Sequence, residues 1–269
     1  MTEGRWELAI LETGPVIEGD PPSATAHSVL LLGGTTEAFR LAQMFAGEPA
    51  LDIISSLAGR TSSPRRPAGR LRIGGFGGVD GLTRFIASEQ IEAVIDATHP
   101  FAATITEHAV DAARQLGVPY LLLGRSPWVK TAQDHWLEVD DIASAVEQVP
   151  RRARVLLAVG RQEAPAFAKR MDCWFLSRMM EEPDPPIPPG KVILERPRDT
   201  ADDECALMSD HRINCVVAKN SGGPGYAKVE AASWMGLPVV MVQQPRRPEA
   251  ECVSIVGDAA VWLRRLFNL

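Results

Sequence analysis

Three segments of this chain place glycine, hydroxyl or charged side chains directly after an apolar run. They are GGTTEA at 33–38, ATHPFA at 97–102 and KNSGGPGYAK at 219–228. Glycine lets a backbone approach an anion closely, threonine, serine and asparagine supply directional hydrogen bonds, and lysine adds positive charge. These residue types therefore predict contacts to an anionic ligand.

The first segment has the pattern of a buried strand that turns sharply into a helix. The first backbone N–H groups of such a helix are free to bind a phosphate. The dinucleotide-binding fingerprint has further glycines where this chain has Thr35 and Ala38, so an ordinary turn with a capping threonine is the alternative. The residues that we predict to bind a cofactor here are Gly33, Gly34, Thr35, Thr36 and Glu37.

The end of the second predicted strand indicates which dinucleotide is bound. An NAD-binding fold has an acidic residue at this place, but here the sequence is SSLAGR at 55–60, and Asp52 lies near the strand's start. Ser56 and Arg60 suit a 2′-phosphate, because guanidinium pairs with phosphate through two parallel hydrogen bonds. We therefore predict NADPH as the cofactor. Four further arginines are expected to form a solvated basic loop: Arg65, Arg66, Arg70 and Arg72.

The second segment brings three polar side chains to the end of another apolar run. We expect Thr98 to contact the cofactor and Asp96 to cap the strand end. His99 is a candidate for ligand contact and for proton transfer, because imidazole titrates near neutral pH. A capping or structural role is the alternative for His99, and the sequence assigns no other catalytic residue.

The third segment combines two lysines, three glycines and the start of a predicted helix. This combination favours an anion site over a glycine-rich surface turn, which is the alternative. Arg161 follows the run 155–159 and forms a similar but weaker group. The residues that we predict to bind an anionic substrate are His99, Arg161, Lys219, Asn220, Ser221, Gly222, Gly223 and Lys228.

Several familiar catalytic and metal-binding patterns are missing from the sequence. Neither Tyr120 nor Tyr226 begins the Tyr-x-x-x-Lys pair of short-chain dehydrogenases, and neither a G-x-S-x-G nor an H-E-x-x-H pattern occurs. The four cysteines lack C-x-x-C spacing, so no metal site or redox dithiol is predicted, and a reducing compartment fits.

The composition is that of a soluble globular protein. The 269 residues are 45% hydrophobic and 23% charged, and the formal net charge is −6. This charge argues against nonspecific nucleic-acid binding, and no apolar run approaches the roughly 18 residues that cross a bilayer. We therefore expect a cytoplasmic monomer or small homo-oligomer, with no nucleic-acid or membrane partner.

Apolar runs alternate with helical patterns from residue 28 onward. The strands predicted from these runs are 29–32, 52–57, 71–73, 93–97, 120–123, 155–159, 174–176, 192–194, 215–218 and 238–242. The predicted helices are 37–45, 81–89, 103–116, 200–209, 226–235 and 258–267. Such alternation predicts an α/β fold with parallel sheets that are covered on both faces.

A break in this pattern at 124–134 predicts two domains. We expect a loose extension at 1–27, an NADP(H)-binding α/β domain at 28–126 and a second α/β domain, on the substrate side, at 127–269. Open parallel sheets bind ligands beyond the carboxyl ends of their strands. The three segments are therefore expected to face a cleft between the two domains.

The three segments, in this order, resemble the precorrin-6A reductase family of cobalamin biosynthesis. The matching pieces are LLLGGTTEA, SLAGR, DATHPFA and KNSGGPGYAK followed by LPVVMVQQP, and they extend from Ser28 to Pro248. Ordered matching of several motifs is far more specific than any one of them. The resemblance implies a fold of two Rossmann-like domains. It also implies an oxidoreductase that uses NADPH to reduce one double bond of the precorrin-6A macrocycle, giving precorrin-6B.

The tetrapyrrole implied by this resemblance suits the predicted cations. Its macrocycle carries many acetate and propionate carboxylates, so an acidic protein must present a local basic patch to bind it. Its conjugated ring spreads the charge that an incoming hydride displaces, so the protein's main task is positioning. Three alternatives stay open: the cobalt-containing substrate, another NADP(H)-linked oxidoreductase or epimerase, and a non-catalytic NADP(H)-sensing module.

Overall fold

The computed structural model describes residues 17–20, 23–59, 66–183 and 185–269. Its strands are β1 Ile17–Glu18, β2 His27–Leu32, β3 Leu51–Leu57, β4 Arg70–Ile73, β5 Ala93–Asp96, β6 Tyr120–Leu123, β7 Trp136–Val139, β8 Arg154–Ala158, β9 Trp174–Met179, β10 Gly190–Leu194, β11 Cys215–Lys219, β12 Val239–Val242 and β13 Cys252–Val253. Its α-helices are α1 Thr36–Met44, α2 Val79–Ser88, α3 Ala103–Leu116, α4 Ile142–Gln148, α5 Ala201–Asp210, α6 Ala227–Trp234 and α7 Val256–Phe267. A 3-10 helix covers Ala164–Lys169.

The chain divides into two compact units. Unit 1 consists of Met1–Gly124 and Arg247–Leu269, and unit 2 of Arg125–Arg246. The expected second domain, 127–269, differs from this division at its carboxyl end. Strand β13 pairs with β6, and α7 packs its buried face on the unit 1 core, so the last segment of the chain belongs to the first sheet.

The sheet of unit 1 has the strand order of a Rossmann fold. Its strands lie in the order β1-β4-β3-β2-β5-β6-β13, and every pair except the antiparallel β1–β4 pair is parallel. From β4 onward this is the 3-2-1-4-5-6 order, in which the chain direction along the sheet reverses between β2 and β5. Ligands of such sheets bind at that reversal, beyond the carboxyl ends of the two strands.

The sheet of unit 2 repeats this arrangement. Its six strands are all parallel and lie in the order β10-β9-β8-β11-β12-β7. The reversal here lies between β8 and β11, so the third sequence segment begins at a carboxyl strand end equivalent to that of β5 in unit 1. The sequence shows no residue-level repeat between the halves, yet the two sheets share one topology.

The alternating side chains of β2 explain why the first sheet is covered on both faces. Val29 and Leu31 pack with residues of α1 and α7, whereas Leu30 and Leu32 pack with residues of α2 and α3. All four are at most 2% exposed. Successive side chains of a strand point to opposite faces, so a continuous apolar run requires helices on both sides.

The α/β fold with parallel sheets is confirmed, and the ten predicted strands and six predicted helices are all present with small shifts at their ends. Strands β7 and β13 and helix α4 were not predicted, since their short, partly polar sequences carry weak periodicity. The extension expected at 1–27 contains β1, which pairs with β4, and the first residue of β2. Residues 1–16, 21 and 22 lie outside the described residues.

Two further properties concern the part of the chain that the structure describes. None of its helices is long and apolar enough to cross a membrane. Its histidine, cysteine and acidic side chains form no group of three that could hold a metal ion.

Candidate active site

Thr35 joins the two strand ends at the reversal of unit 1. Its Oγ1 donates to the carbonyl oxygen of Ala97 at 2.6 Å and accepts from the backbone N–H of Ala38 at 3.2 Å. The side chain is buried and caps the amino terminus of α1. Thr35 therefore fixes the loop after β2 against the end of β5, and its hydroxyl is used within the protein.

The second residue of the double glycine leaves room at the amino terminus of α1. Gly34 has a φ of +104°, and no atom lies within 4 Å of the place that a side chain would occupy. A Cβ at Gly33 would lie 3.1 Å from that of Ala38, so helix and strand pack closely there. Beside them Thr36 is exposed and Glu37 is half-buried. Backbone N–H groups, rather than the Thr35 hydroxyl, are what this turn presents to a ligand.

The described arginines that follow β3 do not form the solvated basic loop that the sequence predicts. Arg72 is 1% exposed and donates to Ser56 Oγ at 3.2 Å, so it is not part of a solvated loop. Arg70 is mostly buried and pairs with Asp52 at 2.7 Å. Only Arg66 among the described arginines of this group is exposed, and it pairs with Glu18. Arg60 and Arg65 lie outside the described residues.

Asp96 organises the end of β5. One carboxylate oxygen accepts from the backbone N–H of Thr98 at 2.9 Å, and the other accepts from the Tyr120 hydroxyl at 3.0 Å. Burial, reinforced by this carboxylate, raises the pKa of Tyr120 far above its ordinary value. Asp96 thus acts as the expected strand-end cap, while Thr98 stays half-buried with its hydroxyl 3.4 Å from that of Thr106.

His99 lies at the carboxyl edge of the unit 1 sheet, half-buried. Its Nδ1 accepts from the backbone N–H of Phe101 at 3.3 Å, and its ring lies 5.8 Å from that of Phe101. A backbone N–H directed at Nδ1 favours the neutral tautomer that carries its proton on Nε2. In that tautomer Nε2 carries the hydrogen-bond donor of the ring.

In unit 2 the predicted cations at the strand ends are paired with carboxylates. Lys219, at the end of β11, lies 2.8 Å from Glu163, and Arg161, after β8, lies 3.2 Å from Glu181. Both cations keep part of their surface exposed, 14% for the Lys219 side chain and 35% for that of Arg161. The sequence could not indicate these acidic partners, because neither motif contains them.

Asn220 and the glycines that follow it contact their own unit. The Asn220 amide accepts from the Trp128 N–H at 2.7 Å and donates to the Trp128 carbonyl at 3.0 Å. A side chain at Gly222 would lie 2.2 Å from the carbonyl oxygen of Ser126. Gly223 lies against Arg125 and accepts from the Trp128 indole at 3.1 Å. Ser221 stays half-buried, so the motif docks residues 125–128 as well as forming a strand end.

Lys228 is buried among charges that the sequence analysis did not identify. Its ammonium donates to the carbonyl oxygen of Gly225 at 2.5 Å and lies 4.9 Å from the centre of the Trp128 ring. Burial and the nearby Arg178 lower the pKa of Lys228 to about 8, while Glu204 opposes this shift. Arg178 donates to both oxygens of Glu204, at 2.8 and 2.9 Å, and both side chains are buried. The sequence did contain one indication of this buried pair, because Arg178 is a charged residue within the largely apolar strand β9.

The sequence of this chain matches the model of a known protein family. The family model described as "Precorrin-6x reductase CbiJ/CobK" matches residues 28–264. The chain belongs to this family. The precorrin-6x reductase match includes β13 and most of α7, so the last segment of unit 1 is part of the family's common sequence.

Named relatives of the precorrin-6x reductase family are similar along nearly their whole length. A precorrin-6A reductase of Rhodococcus erythropolis is 44% identical over 242 residues, which are 88% of this chain and 98% of the relative. A cobalt-precorrin-6A reductase of Methanothermobacter thermautotrophicus is 30% identical, with coverage of 86% and 79%. A solved structure titled "CobK precorrin-6A reductase" superposes with a TM-score of 0.83 at 38% identity, covering 89% of this chain and 97% of that one.

Proposed function

We propose that this chain reduces one carbon–carbon double bond of the precorrin-6A macrocycle with NADPH, giving precorrin-6B in cobalamin biosynthesis. The observation that carries the proposal is the family match over 28–264, together with relatives that bear this name at 44% identity. The predicted ligand motifs lie at the strand reversals of two Rossmann-type sheets, where that fold binds ligands. The family membership of the chain and the position of its motifs in the fold both support this reaction.

The residues of unit 1 fit a dinucleotide. Gly34 leaves open space at the amino terminus of α1, where a diphosphate is stabilised by backbone N–H groups and the helix dipole. Gly33, Thr36, Glu37 and Thr98 complete the surroundings, and Ser56 lies at the end of β3, where the ribose of a dinucleotide lies in this fold. When bound there, NADPH supplies the hydride that the reduction consumes.

The charged residues of unit 2 fit a substrate rich in carboxylates. We assign Lys219 and Arg161 to these carboxylates, because both cations are partly exposed and can exchange Glu163 and Glu181 for substrate oxygens. Ser221 supplies a hydroxyl beside them. Asn220, Gly222 and Gly223 hold the shape of the loop, and Lys228 supports it from beneath through the Gly225 carbonyl.

Reduction of the double bond requires a proton as well as a hydride. We assign His99 to holding the substrate through Nε2–H rather than to supplying this proton. The charge that the hydride brings is spread over the conjugated ring, so the proton can come from water. This chain's residues then contribute orientation, which is worth several orders of magnitude in rate.

The metal-free macrocycle is the substrate that we propose. Five relatives named precorrin-6A reductase are 39–44% identical to this chain, whereas three named cobalt-precorrin-6A reductase are 26–30% identical. We also propose that the reaction takes place in the cytoplasm. All four cysteines are free thiols, as expected in a reducing compartment.

The test is an anaerobic single-turnover reaction with purified precorrin-6A. With NADPH we expect the absorption spectrum of the macrocycle to change at the rate at which NADPH is oxidised, in a ratio of one to one. The same reaction with NADH, and with cobalt-precorrin-6A, should be at least about tenfold slower. Tight NADPH binding by folded protein without any spectral change would contradict the proposal and favour a sensing module.

A further inference from the structure

Arg72 is a buried cation that lacks an acidic partner among the described residues. Its side chain lies on β4, is 1% exposed, and packs 3.7 Å from the centre of the Phe76 ring. Burial lowers its pKa, and its Nε has no hydrogen-bond partner. Arg178, a buried arginine on β9 of unit 2, is by contrast neutralised by Glu204. An unneutralised guanidinium in a protein interior is costly, so its retention calls for a reason.

The guanidinium of Arg72 holds the backbone of the loop that follows its own strand. It donates to the carbonyl oxygens of Gly74 at 2.6 Å and Gly75 at 2.8 Å, and to Ser56 Oγ at 3.2 Å. In a trans peptide the N–H points away from the carbonyl of the preceding residue. The N–H groups of Gly75 and Phe76 therefore point away from Arg72, and no described residue accepts a hydrogen bond from either.

The loop at 74–78, GGFGG, leaves open space beside each of its glycines. No atom lies within 4 Å of the place that a side chain would occupy at any of its four glycines, Gly74, Gly75, Gly77 and Gly78. Helix α2 begins directly after the loop, and its amino terminus has no side-chain cap. Two backbone N–H groups that point away from Arg72, an uncapped helix amino terminus and a buried cation are together the features from which proteins build a cradle for an anion.

The place of the loop in the fold indicates which anion it binds. Strand β4 neighbours β3, with Arg72 paired in register to Ser56, so the loop lies beside the strand end that holds the adenosine ribose in a Rossmann fold. We propose that the GGFGG loop, with Ser56, binds the 2′-phosphate of NADPH and that Arg72 is its positioning residue. This inference rests on the NADPH dependence in the proposed function.

The chemistry of a phosphate monoester suits this cradle. At neutral pH the phosphate carries nearly two negative charges and three acceptor oxygens. Because Ser56 Oγ accepts from Arg72, its own proton is available to a phosphate oxygen. Arg72 itself is too deeply buried for direct contact, so it acts through the loop carbonyls and the serine. A ribose hydroxyl, being neutral, gains little from the positive field.

The test measures nucleotide binding by titration calorimetry, without substrate. In Arg72→Met we expect binding of NADP⁺ and adenosine 2′-monophosphate to weaken about 10- to 100-fold, while NAD⁺ and adenosine 5′-monophosphate change by less than about twofold. The matched control is Arg70→Met, since Arg70 lies on the same strand but pairs with Asp52. It should keep the wild-type ratio of NADP⁺ to NAD⁺ affinity.

A pH series separates the proposed role from a merely structural one. Wild-type affinity for adenosine 2′-monophosphate, relative to the 5′ isomer, should rise as pH increases through about 6, where the phosphate gains its second charge. In Arg72→Met this rise should flatten. If Arg72→Met does not fold, Arg72→Lys and Ser56→Ala are expected to show smaller losses confined to the 2′-phosphate ligands.

Each outcome decides a separate claim. An unchanged NADP⁺ to NAD⁺ ratio in folded Arg72 and Ser56 variants, or equal weakening of all four ligands, overturns the assignment of the loop. A wild-type protein that prefers neither dinucleotide contradicts the NADPH dependence itself. Selective 2′-phosphate binding in a protein that reduces no macrocycle would uphold the loop and refute the proposed reaction.

Discussion

At the scale of single residues, the charged side chains are the ones whose surroundings in the structure differ most from what their sequence motifs indicate. Lys228 belongs to a glycine-rich strand end, yet its ammonium is buried near Arg178 and Glu204. Burial removes hydration from a charged group and favours its neutral form. The lysine therefore has a measurable effect on stability that an exposed lysine would lack.

We expect Lys228→Met to change how stability depends on pH. The pKa of Lys228 is lowered from 10.5 to about 8 in the folded protein. Between these pH values the unfolded chain binds more protons, so the contribution of Lys228 to the free energy of unfolding rises with pH, by up to about 3 kcal/mol. Below pH 8 the folded protein must hold the buried charge, and this contribution is at its lowest.

Urea unfolding of wild type and variant at pH 7, 8, 9 and 10 measures this effect. The stability of wild type relative to Lys228→Met should increase over the series. Lys191→Met, at an exposed lysine of β10, serves as the control and should remain parallel to wild type. Parallel curves for Lys228→Met would show that the ammonium is not buried in solution.

At the scale of elements, short side-chain links fix the loops at the strand ends. Thr35 ties the start of α1 to the end of β5, and Asn220 ties the end of β11 to Trp128. Both links use a side chain that satisfies backbone groups far away in the sequence. Such links hold a loop in one conformation before any ligand binds, which reduces the entropy cost of binding.

We expect Asn220→Ala to destabilise unit 2. The substitution leaves the N–H and carbonyl groups of Trp128 without their partner, and Asn220 is 2% exposed. Each unsatisfied buried group costs about 1–3 kcal/mol, so a loss of about 2–4 kcal/mol is expected in urea unfolding. Ser221→Ala is the control and should change stability by less than about 0.5 kcal/mol. Equal effects of the two substitutions would contradict the link.

At the scale of the whole molecule, each unit adds a further parallel strand to its 3-2-1-4-5 core, next to the fifth strand of that core. In unit 1 this strand is β13, from the carboxyl end of the chain, and in unit 2 it is β7, which precedes the core strands. Helix α7 follows β13 and buries Ala259, Ala260 and Leu263 against residues of β2 and α1. The stability of unit 1 therefore depends on residues that are more than one hundred positions away.

Leu263→Ala should loosen unit 1 and leave unit 2 unchanged. Leu263 is fully buried, and a leucine-to-alanine change in a core costs about 2–5 kcal/mol. Hydrogen exchange should become faster in β2, α1 and β6. Leu207→Ala, in the core of unit 2, is the matched variant and should speed exchange around α5 and α6 instead. Faster exchange in unit 2 after Leu263→Ala would contradict the division of the chain.

The sequence alone determined most of the elements and the strand ends at which the candidate ligand motifs lie. A strand with a continuous apolar run such as Val29–Leu32 can bury all of its side chains only when helices cover both faces of the sheet. Helix α3 has the predicted bounds, because Gly117 adopts the left-handed conformation that ends a helix and Pro119 follows it. These signals are local, so they can be identified without knowing the rest of the fold.

Only the tertiary structure decided which polar groups meet and where the last segment packs. Asn220 contacts Trp128 across 92 positions and Lys219 contacts Glu163 across 56. No periodicity records such pairs, because a side chain's partner depends on which strand ends the topology brings together. The residues beside Arg72 in the sequence are compatible with a solvated arginine, and the sequence of α7 is compatible with packing on either sheet. Burial and strand order, which are properties of the folded chain, decided both.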